Sequence, residues 1–188
     1  MKTLKFKQIL LSFSILFLSF GLFAQKQLIT TDTHIRFFST TPAEDIESNN
    51  YASTGTLNIE TGDVAFSVPM QSFEFEKSLM QRHFNQKRFL NTSEFPIAQL
   101  VGKVEDFGKV DLSQNGTYNV IVSGEMTIKG ETNSFREPGT IKVSNGQIVA
   151  NSKFFITLAE YGVTFSGGKP ASNIADKVEV TVVAEYER

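Results

Sequence analysis

A stretch near the middle of the chain, residues 82–96, concentrates the side chains that could contact a polar ligand. Arg82, His83, Lys87 and Arg88 all lie within it. Guanidinium, ammonium and imidazolium groups donate hydrogen bonds to oxygen atoms, so these four residues are candidates for holding a phosphate or carbonyl head group. The alternative is a solvated basic face on a short helix, which is where charged side chains usually lie.

Acid–base and metal chemistry have fewer candidates. The chain has two histidines, His34 and His83, and a nitrogen-ligated metal site would need both together with carboxylates. His83 or Glu76 could act as acid or base on a hydrophobic substrate, although Glu74 and Glu76 also fit the solvated face of a strand. The sequence contains no nucleophile elbow, phosphate-binding glycine loop, zinc spacing or calcium loop. We therefore predict a protein that is not an enzyme, with no cofactor, metal site or catalytic residue.

Apolar side chains outnumber these polar candidates in the same part of the chain. They either fill a core or line a pocket, because the interior of a barrel of about eight strands can be packed solid or can hold one small ligand. The residues predicted to face such an interior, and to form the hydrophobic wall of a ligand site, are Phe66, Val68, Met70, Phe84, Phe89, Leu100, Val120, Val122, Met126, Ile128 and Ile141.

Alternation of apolar and polar residues predicts the strands that position these side chains. Val120, Val122 and Met126 share one face of a segment, and polar residues occupy the other. One dry face and one wet face are typical of an antiparallel sheet, which must stack as a sandwich or close as a barrel. The eight predicted strands are Leu28–Ser39, Ala52–Glu60, Asp63–Met70, Ile97–Val110, Gly116–Ile128, Asn133–Ser144, Gln147–Thr157 and Lys177–Tyr186.

Turn signals separate several of these strands. Hairpins are predicted at Thr61-Gly62-Asp63, Gln114-Asn115-Gly116 and Asn145-Gly146, because Asn-Gly supplies the positive φ that a tight turn demands. The polar segment Thr41–Asn50 is predicted to be a loop or a short capped helix. Helical spacing of apolar residues between Glu74 and Leu90 predicts a short helix near residues 76–86.

The first 24 residues differ from the rest. Three lysines precede the apolar run Ile9–Phe23, and Ala24 offers a small residue for cleavage. We predict a secretory signal peptide at 1–24, a single domain at 25–188 and export to a bacterial periplasm or the extracellular space. An uncleaved membrane anchor is the alternative, but the run is shorter than the about 20 residues that a spanning helix needs.

Charge and cysteine content narrow the function further. Without the three leader lysines, 15 basic residues face 20 acidic ones, a charge of about −5. That balance disfavours nucleic acid and anionic lipid surfaces as partners. The chain has no cysteine, so the core alone must hold the exported domain together.

Three segments resemble the YceI-like proteins. HFNQKRFLNTSEFPIAQLVGKV (His83–Val104) is similar to that family's short helix, Phe-Leu-Asn turn and Phe-Pro strand start. GEMTIKGETNSF (Gly124–Phe135) resembles its glycine-led hairpin, and FITLAEYGVTF (Phe155–Phe165) resembles the turn before its final strand. The resemblance spans most of residues 55–187, whereas the first third departs from the family pattern at TPAEDIESNN.

The resemblance implies an all-β, lipocalin-like antiparallel barrel of about eight strands, exported to the periplasm, whose interior binds a polyisoprenoid or similar amphiphilic lipid. The leading hypothesis is a non-enzymatic protein that sequesters or carries a polyisoprenoid, quinone-like or fatty-acyl compound. An enzyme acting on a hydrophobic substrate in the barrel, and a solid-core barrel serving as an envelope adaptor, stay open. No nucleic-acid partner and no membrane span after signal cleavage are expected, and the oligomeric state, a homodimer included, is left open.

Overall fold

The computed structural model describes residues 27–163 and 174–187, so the predicted signal peptide at 1–24 lies outside the described residues. This part of the chain contains eleven strands, one α-helix and three short 3₁₀ helices at Met70–Ser72, Phe107–Lys109 and Leu158–Tyr161. The strands and the helix are β1 (Gln27–Thr30), β2 (Thr33–Thr40), β3 (Asp45–Asn50), β4 (Thr54–Asn58), β5 (Asp63–Pro69), β6 (Glu74–Phe75), α1 (Ser78–Asn85), β7 (Ile97–Val104), β8 (Gly116–Ile128), β9 (Glu131–Ser144), β10 (Gln147–Thr157) and β11 (Lys177–Tyr186).

All eleven strands belong to one antiparallel sheet, in the order β1-β4-β5-β7-β8-β9-β10-β11-β2-β3-β6. Only Thr31 and Asp32 separate β1 from β2, yet β1 pairs with β4 at one edge while β2 lies between β11 and β3. The Glu185 amide donates a hydrogen bond to the Asp32 carbonyl oxygen (2.9 Å) at this step. The short connection between β1 and β2 therefore joins the two ends of the curled sheet. This arrangement confirms the predicted lipocalin-like antiparallel barrel.

The predicted strands match the observed ones closely where alternation is long. The bounds of β8, β10 and β11 are those predicted, and the helix predicted near 76–86 is α1 at Ser78–Asn85. The segment predicted as Leu28–Ser39 is interrupted and forms β1 and β2. Within the described ranges, no helix is both long and apolar enough to cross a membrane.

The prediction for Thr41–Asn50 was wrong, because its second half is strand β3. Asp45–Asn50 pairs with β2 on one side and with β6 on the other. Its inward side chains include Ser48 and Asn50, which are both fully buried. The Ser48 hydroxyl donates to the Glu74 carbonyl oxygen (2.8 Å) and the Asn50 amide to the Pro69 carbonyl oxygen (2.8 Å), which offsets the cost of burying them.

Two of the three predicted hairpin turns are present. Asn145 and Gly146 have φ of 52° and 88° and join β9 to β10, as the Asn-Gly signal predicted. The signal at Asn115-Gly116 was misleading, because neither residue has a positive φ and a longer connection with a 3₁₀ helix joins β7 to β8. The β8–β9 hairpin instead turns at Lys129-Gly130, with φ of 52° and 81°.

Buried apolar residues form two clusters at opposite ends of the barrel interior. The helix-end cluster contains Ile35, Met70, Phe73, Phe84, Leu90, Ala98, Phe135, Phe154, Tyr161, Val163 and Val180. The turn-end cluster contains Leu57, Val104, Phe107, Leu112, Val120, Ile141, Val143, Ile148, Ala184 and Tyr186. The side chain of Val122 packs against both clusters, and the space between them is the candidate ligand site.

Candidate ligand site

Aromatic contacts hold α1 across one end of the barrel. Phe84 is the buried residue of this helix. Its ring lies 5.7 Å from Phe37, 5.5 Å from Phe73 and 5.1 Å from Phe75, measured between ring centroids. Ring pairs at such separations attract one another beyond the area they bury. The helix is therefore anchored to β2 and β6 through its one inward ring.

The chain that follows α1 is also fixed, by local polar contacts. The Thr92 hydroxyl donates to the Asn85 side-chain oxygen (2.7 Å), and the Asn85 amide donates to the Gln81 carbonyl oxygen (2.9 Å). Asn91 adopts a left-handed conformation with φ of 49°, which asparagine tolerates better than most residues. Residues 82–96 are thus a structured connection that leads into β7.

The barrel is hollow, with a cavity of about 760 Å³ between the two clusters. A void of this size counts against the solid-core alternative and lies in the range of small-molecule sites. Every residue predicted for the hydrophobic wall lines this cavity: Phe66, Val68, Met70, Phe84, Phe89, Leu100, Val120, Val122, Met126, Ile128 and Ile141. Whether any of them touches a ligand remains a prediction.

The turn-end cluster closes one end of the cavity. Phe107 and Leu112, in the connection between β7 and β8, are both buried there. Gly62 has φ of 76°, and a β-carbon in its place would lie 2.5 Å from Phe107 Cγ, so the β4–β5 turn packs directly on this ring. We call this the closed end.

The opposite end lies beside α1, and only part of the predicted basic group reaches it. His83 and Arg88 are exposed and line the cavity there, together with the half-buried Met80. Arg82 lines a separate shallow surface depression, and Lys87 is exposed and lines neither. We call this end the mouth.

The polar groups inside the cavity are few, and two of them are tyrosines. Tyr161 lies towards the mouth, where burial and the charge of Glu160 raise the pKa of its hydroxyl. Tyr186 lies at the closed end, is 1% exposed, and burial raises the pKa of its hydroxyl. Both phenols therefore stay protonated and can donate a hydrogen bond at any ordinary pH.

The residues considered for acid–base or metal chemistry are not brought together. Glu76 is exposed and does not line the cavity, and His83 is exposed at the mouth. His34 stacks on Tyr51 with ring centroids 4.7 Å apart, and its Nε2 lies 2.7 Å from Asn49 Oδ1. In the part of the chain that the structure describes, no three His, Asp or Glu side chains converge as metal ligands.

Sequence reasoning missed several residues of the cavity wall. Phe37, Phe73, Phe135 and Phe154 line it, and the last two rings meet edge to face with centroids 5.0 Å apart. Tyr186 lines it as well. Period-two alternation places Phe135, Phe154 and Tyr186 on the apolar faces of their strands, and Phe73 belongs to the apolar-rich stretch between Phe66 and Phe95, so the sequence does carry a signal for these four residues.

Comparison with known families identifies this barrel. The family model for the YceI-like domain matches residues 23–186. The chain belongs to the YceI-like family. This confirms the resemblance, and the match includes the variant first third, where β3 replaces the expected loop. Members share a binding-protein fold, which agrees with the prediction of a protein that is not an enzyme. No functionally curated protein matches the sequence.

Solved structures of several other proteins share the fold. BcnA from Burkholderia cenocepacia is 16% identical with a TM-score of 0.69, and the match covers 81% of this chain and 95% of that one. A polyisoprenoid binding domain from Saccharophagus degradans, implicated in plant cell wall breakdown, is 14% identical with a TM-score of 0.72, covering 86% and 98%. A Campylobacter jejuni YceI protein is 16% identical with a TM-score of 0.56, covering 70% and 78%. At these identities the likeness establishes the fold alone.

Proposed function

We propose that this protein sequesters or carries an amphiphilic lipid inside its barrel without chemically changing it. The observation that carries the proposal is the apolar cavity of about 760 Å³, which is lined beside α1 by the exposed residues His83 and Arg88. Burial of a hydrocarbon chain contributes roughly 0.8 kcal/mol for each methylene group, so a long chain can be retained without strong polar contacts. The polyisoprenoid binding domain with the same fold supports a polyisoprenoid as the ligand. A quinone-like or fatty-acyl compound is also proposed, because the apolar lining of the cavity suits any long hydrocarbon chain.

The open end supports an amphiphile rather than a pure hydrocarbon. His83 and Arg88 stand beside an apolar wall, so a charged head group left at the mouth would meet donors while its chain stays dry. A charged group carried into the cavity would lose its hydration without an opposite charge to compensate. We therefore expect charged lipids to bind with their chain inward.

Export is the second part of the proposal. The basic start, the apolar run and the small residue at Ala24 support a cleaved signal peptide, and membership of the YceI-like family supports a periplasmic destination. Expression of the full chain in a bacterium, followed by fractionation and N-terminal sequencing, tests it. We expect a periplasmic or secreted product that begins near Gln25. A product that stays in the cytoplasm with Met1 retained would contradict export.

Ligand binding is tested by filling the cavity. Leu100 points into it from β7, and its neighbour Val101 points outward and is 63% exposed. We expect Leu100→Trp to abolish retention of lipid in organic extracts, read by mass spectrometry, and to reduce binding of a fluorescent fatty-acid analogue at least about tenfold, because the added ring occupies ligand volume.

The matched control is Val101→Trp, which adds the same ring to the outer face of the same strand. We expect it to leave both readouts unchanged. Circular dichroism checks that both variants remain folded. If the wild-type protein yields no lipid from several native-host preparations and shows no binding of the analogue, the carrier proposal fails.

A further inference from the structure

Tyr186 is the last residue of β11, and the alternation of that strand turns its side chain into the barrel. Val178, Val180 and Ala184 are buried on the same face, and Tyr186 follows two residues after Ala184. It belongs to the turn-end cluster, and its side chain is 1% exposed. A polar group thus stands at the closed end of a cavity whose surroundings there are Leu57, Val104 and other apolar residues.

The hydroxyl of Tyr186 has no hydrogen-bond partner among residues 27–163 and 174–187. Burial is the cause of its raised pKa, with no hydrogen bond or charge contributing. Every completely enclosed side-chain nitrogen and oxygen in the described residues does have a partner. The unpartnered hydroxyl must therefore be open to the cavity rather than sealed in the core.

The backbone opposite this hydroxyl leaves room for it. A β-carbon at Gly55 would lie 2.9 Å from the Tyr186 hydroxyl oxygen and 2.8 Å from Phe66 Cε1. Tyr118 offers a contrast, because its hydroxyl donates to the Asp111 carbonyl oxygen at 2.9 Å on the protein surface. An unpaired donor in an apolar site is unfavourable, so the arrangement is unfavourable for the protein without a ligand.

We propose that the Tyr186 hydroxyl donates a hydrogen bond to an uncharged oxygen acceptor, such as a carbonyl, on the end of the ligand that enters the barrel first. This inference rests on the proposed function and applies to those lipids whose inner end carries a neutral acceptor. An ionised carboxylate or phosphate is excluded from this position, because the basic side chains among the described residues that line the cavity are His83 and Arg88, which lie at the mouth.

The test uses two probes of equal chain length, methyl undecyl ketone and tridecane, which differ by one carbonyl oxygen. Their affinities are measured by displacement of a fluorescent probe from the delipidated protein. In the wild type we expect the ketone to bind about 3- to 10-fold more tightly than the alkane, the value of one net hydrogen bond. In Tyr186→Phe, we expect the ratio of ketone affinity to alkane affinity to fall by at least this factor, because the buried carbonyl is left without a donor, while tridecane binds as before.

The matched control is Tyr51→Phe, which removes the hydroxyl of a tyrosine that is 57% exposed and does not line the cavity, and it should keep the preference. Infrared spectroscopy of the wild-type complex gives a readout that needs no variant. We expect the carbonyl stretch of the bound ketone at the frequency of a hydrogen-bonded ketone, below its value in alkane solvent.

The outcomes separate this inference from the proposed function. If both probes bind but the wild type and Tyr186→Phe show the same ketone preference, or the carbonyl stretch equals that in alkane, the inference is wrong and the carrier proposal stands. If neither probe binds to the wild type, the proposed function fails for this ligand class and the inference fails with it.

Discussion

Phe37 of β2 and Phe84 of α1 stack nearly parallel, with centroids 5.7 Å apart and planes inclined by 9°. This contact joins the helix at the mouth to the strand that links the two ends of the sheet. Truncation of a buried phenylalanine usually costs about 3–5 kcal/mol, and the lower end applies here because the ring already borders a cavity.

We therefore expect Phe84→Ala to lower the free energy of unfolding by about 3 kcal/mol in urea denaturation. Leu79 provides the control, because it lies on the same helix but is 51% exposed. Leu79→Ala should change stability by less than about 0.5 kcal/mol. Equal losses in the two variants would show that the helix contributes through its own propensity rather than through the ring contact.

Two glycines face each other between β7 and β8, where Gly102 and Gly124 are register partners on the inner face. A β-carbon at Gly124 would collide with the Val101 carbonyl oxygen and the Gly102 α-carbon, and backbone atoms cannot move aside as a flexible side chain can. We expect Gly124→Ala to lower the free energy of unfolding by at least about 2 kcal/mol.

The control for this change is Gly108→Ala, because nothing lies within 4 Å of a β-carbon placed there. Thermal unfolding followed by circular dichroism compares the two. Gly108→Ala should leave the melting temperature close to that of the wild type. If Gly124→Ala had the same melting temperature as Gly108→Ala, β7 and β8 would be able to separate without loss of stability.

The long strands and the barrel could be predicted from the sequence because their information is local. In β8 and β11 the inward residues are almost all apolar, so period-two alternation determines both the strand and its buried face. The wall residues predicted on β5, β7 and β8 follow from this face. Alternation of apolar and polar residues does not predict the short strand β3, because its buried residues include the polar Ser48 and Asn50.

Features that depend on distant partners could not be predicted in this way. The carbonyl groups that satisfy Ser48 and Asn50 belong to Glu74 and Pro69, which local periodicity does not relate to β3. The residues at the mouth could not be predicted for the same reason. Lys87 and Arg88 are adjacent in an irregular connection, and only the fold determines which of the two side chains faces the cavity.

An ion pair on the outer face links β2 to β3 and gives a pH-dependent contribution to stability. The Arg36 guanidinium donates to Glu47 Oε2 at 2.6 Å, and this hydrogen bond, followed by one from the Asn49 amide, holds the pKa of Glu47 below its usual range. A lowered pKa in the folded state means that the contribution is present above the unfolded value of about 4.3 and is lost as pH falls through the folded value.

We expect the pair to contribute less than about 1 kcal/mol, because the Glu47 side chain is 47% exposed. Urea denaturation between pH 6 and pH 3, a range chosen around the usual glutamate value of about 4.3, should show a shallower acid loss of stability in Glu47→Gln than in the wild type. Glu125→Gln makes the same charge change at an exposed site on β8. The stability that Glu125→Gln loses between pH 6 and pH 3 should equal the loss in the wild type. If Glu125→Gln instead differed from the wild type as much as Glu47→Gln does, the effect would come from net charge.

The neighbours Arg88 and Lys87 allow a test of whether the mouth holds a charged head group. Both are exposed, but Arg88 lines the cavity and Lys87 does not. Laurate, which carries a carboxylate on a saturated chain, should bind chain-inward with its carboxylate near Arg88. We expect Arg88→Gln to weaken laurate binding about 3-fold, because an exposed ion pair is worth up to about 1 kcal/mol.

Lys87→Gln changes the net charge by the same amount and should leave laurate affinity nearly unchanged, and neither variant should alter the binding of tridecane. Because the pair is exposed, the effect of Arg88→Gln should shrink as salt is raised from low ionic strength to about 1 M, where the screening length falls to about 3 Å. Equal weakening by both substitutions would assign the effect to long-range attraction by the whole basic connection. No weakening by either would place the carboxylate away from this rim and leave the solvated-face interpretation of the basic residues in force.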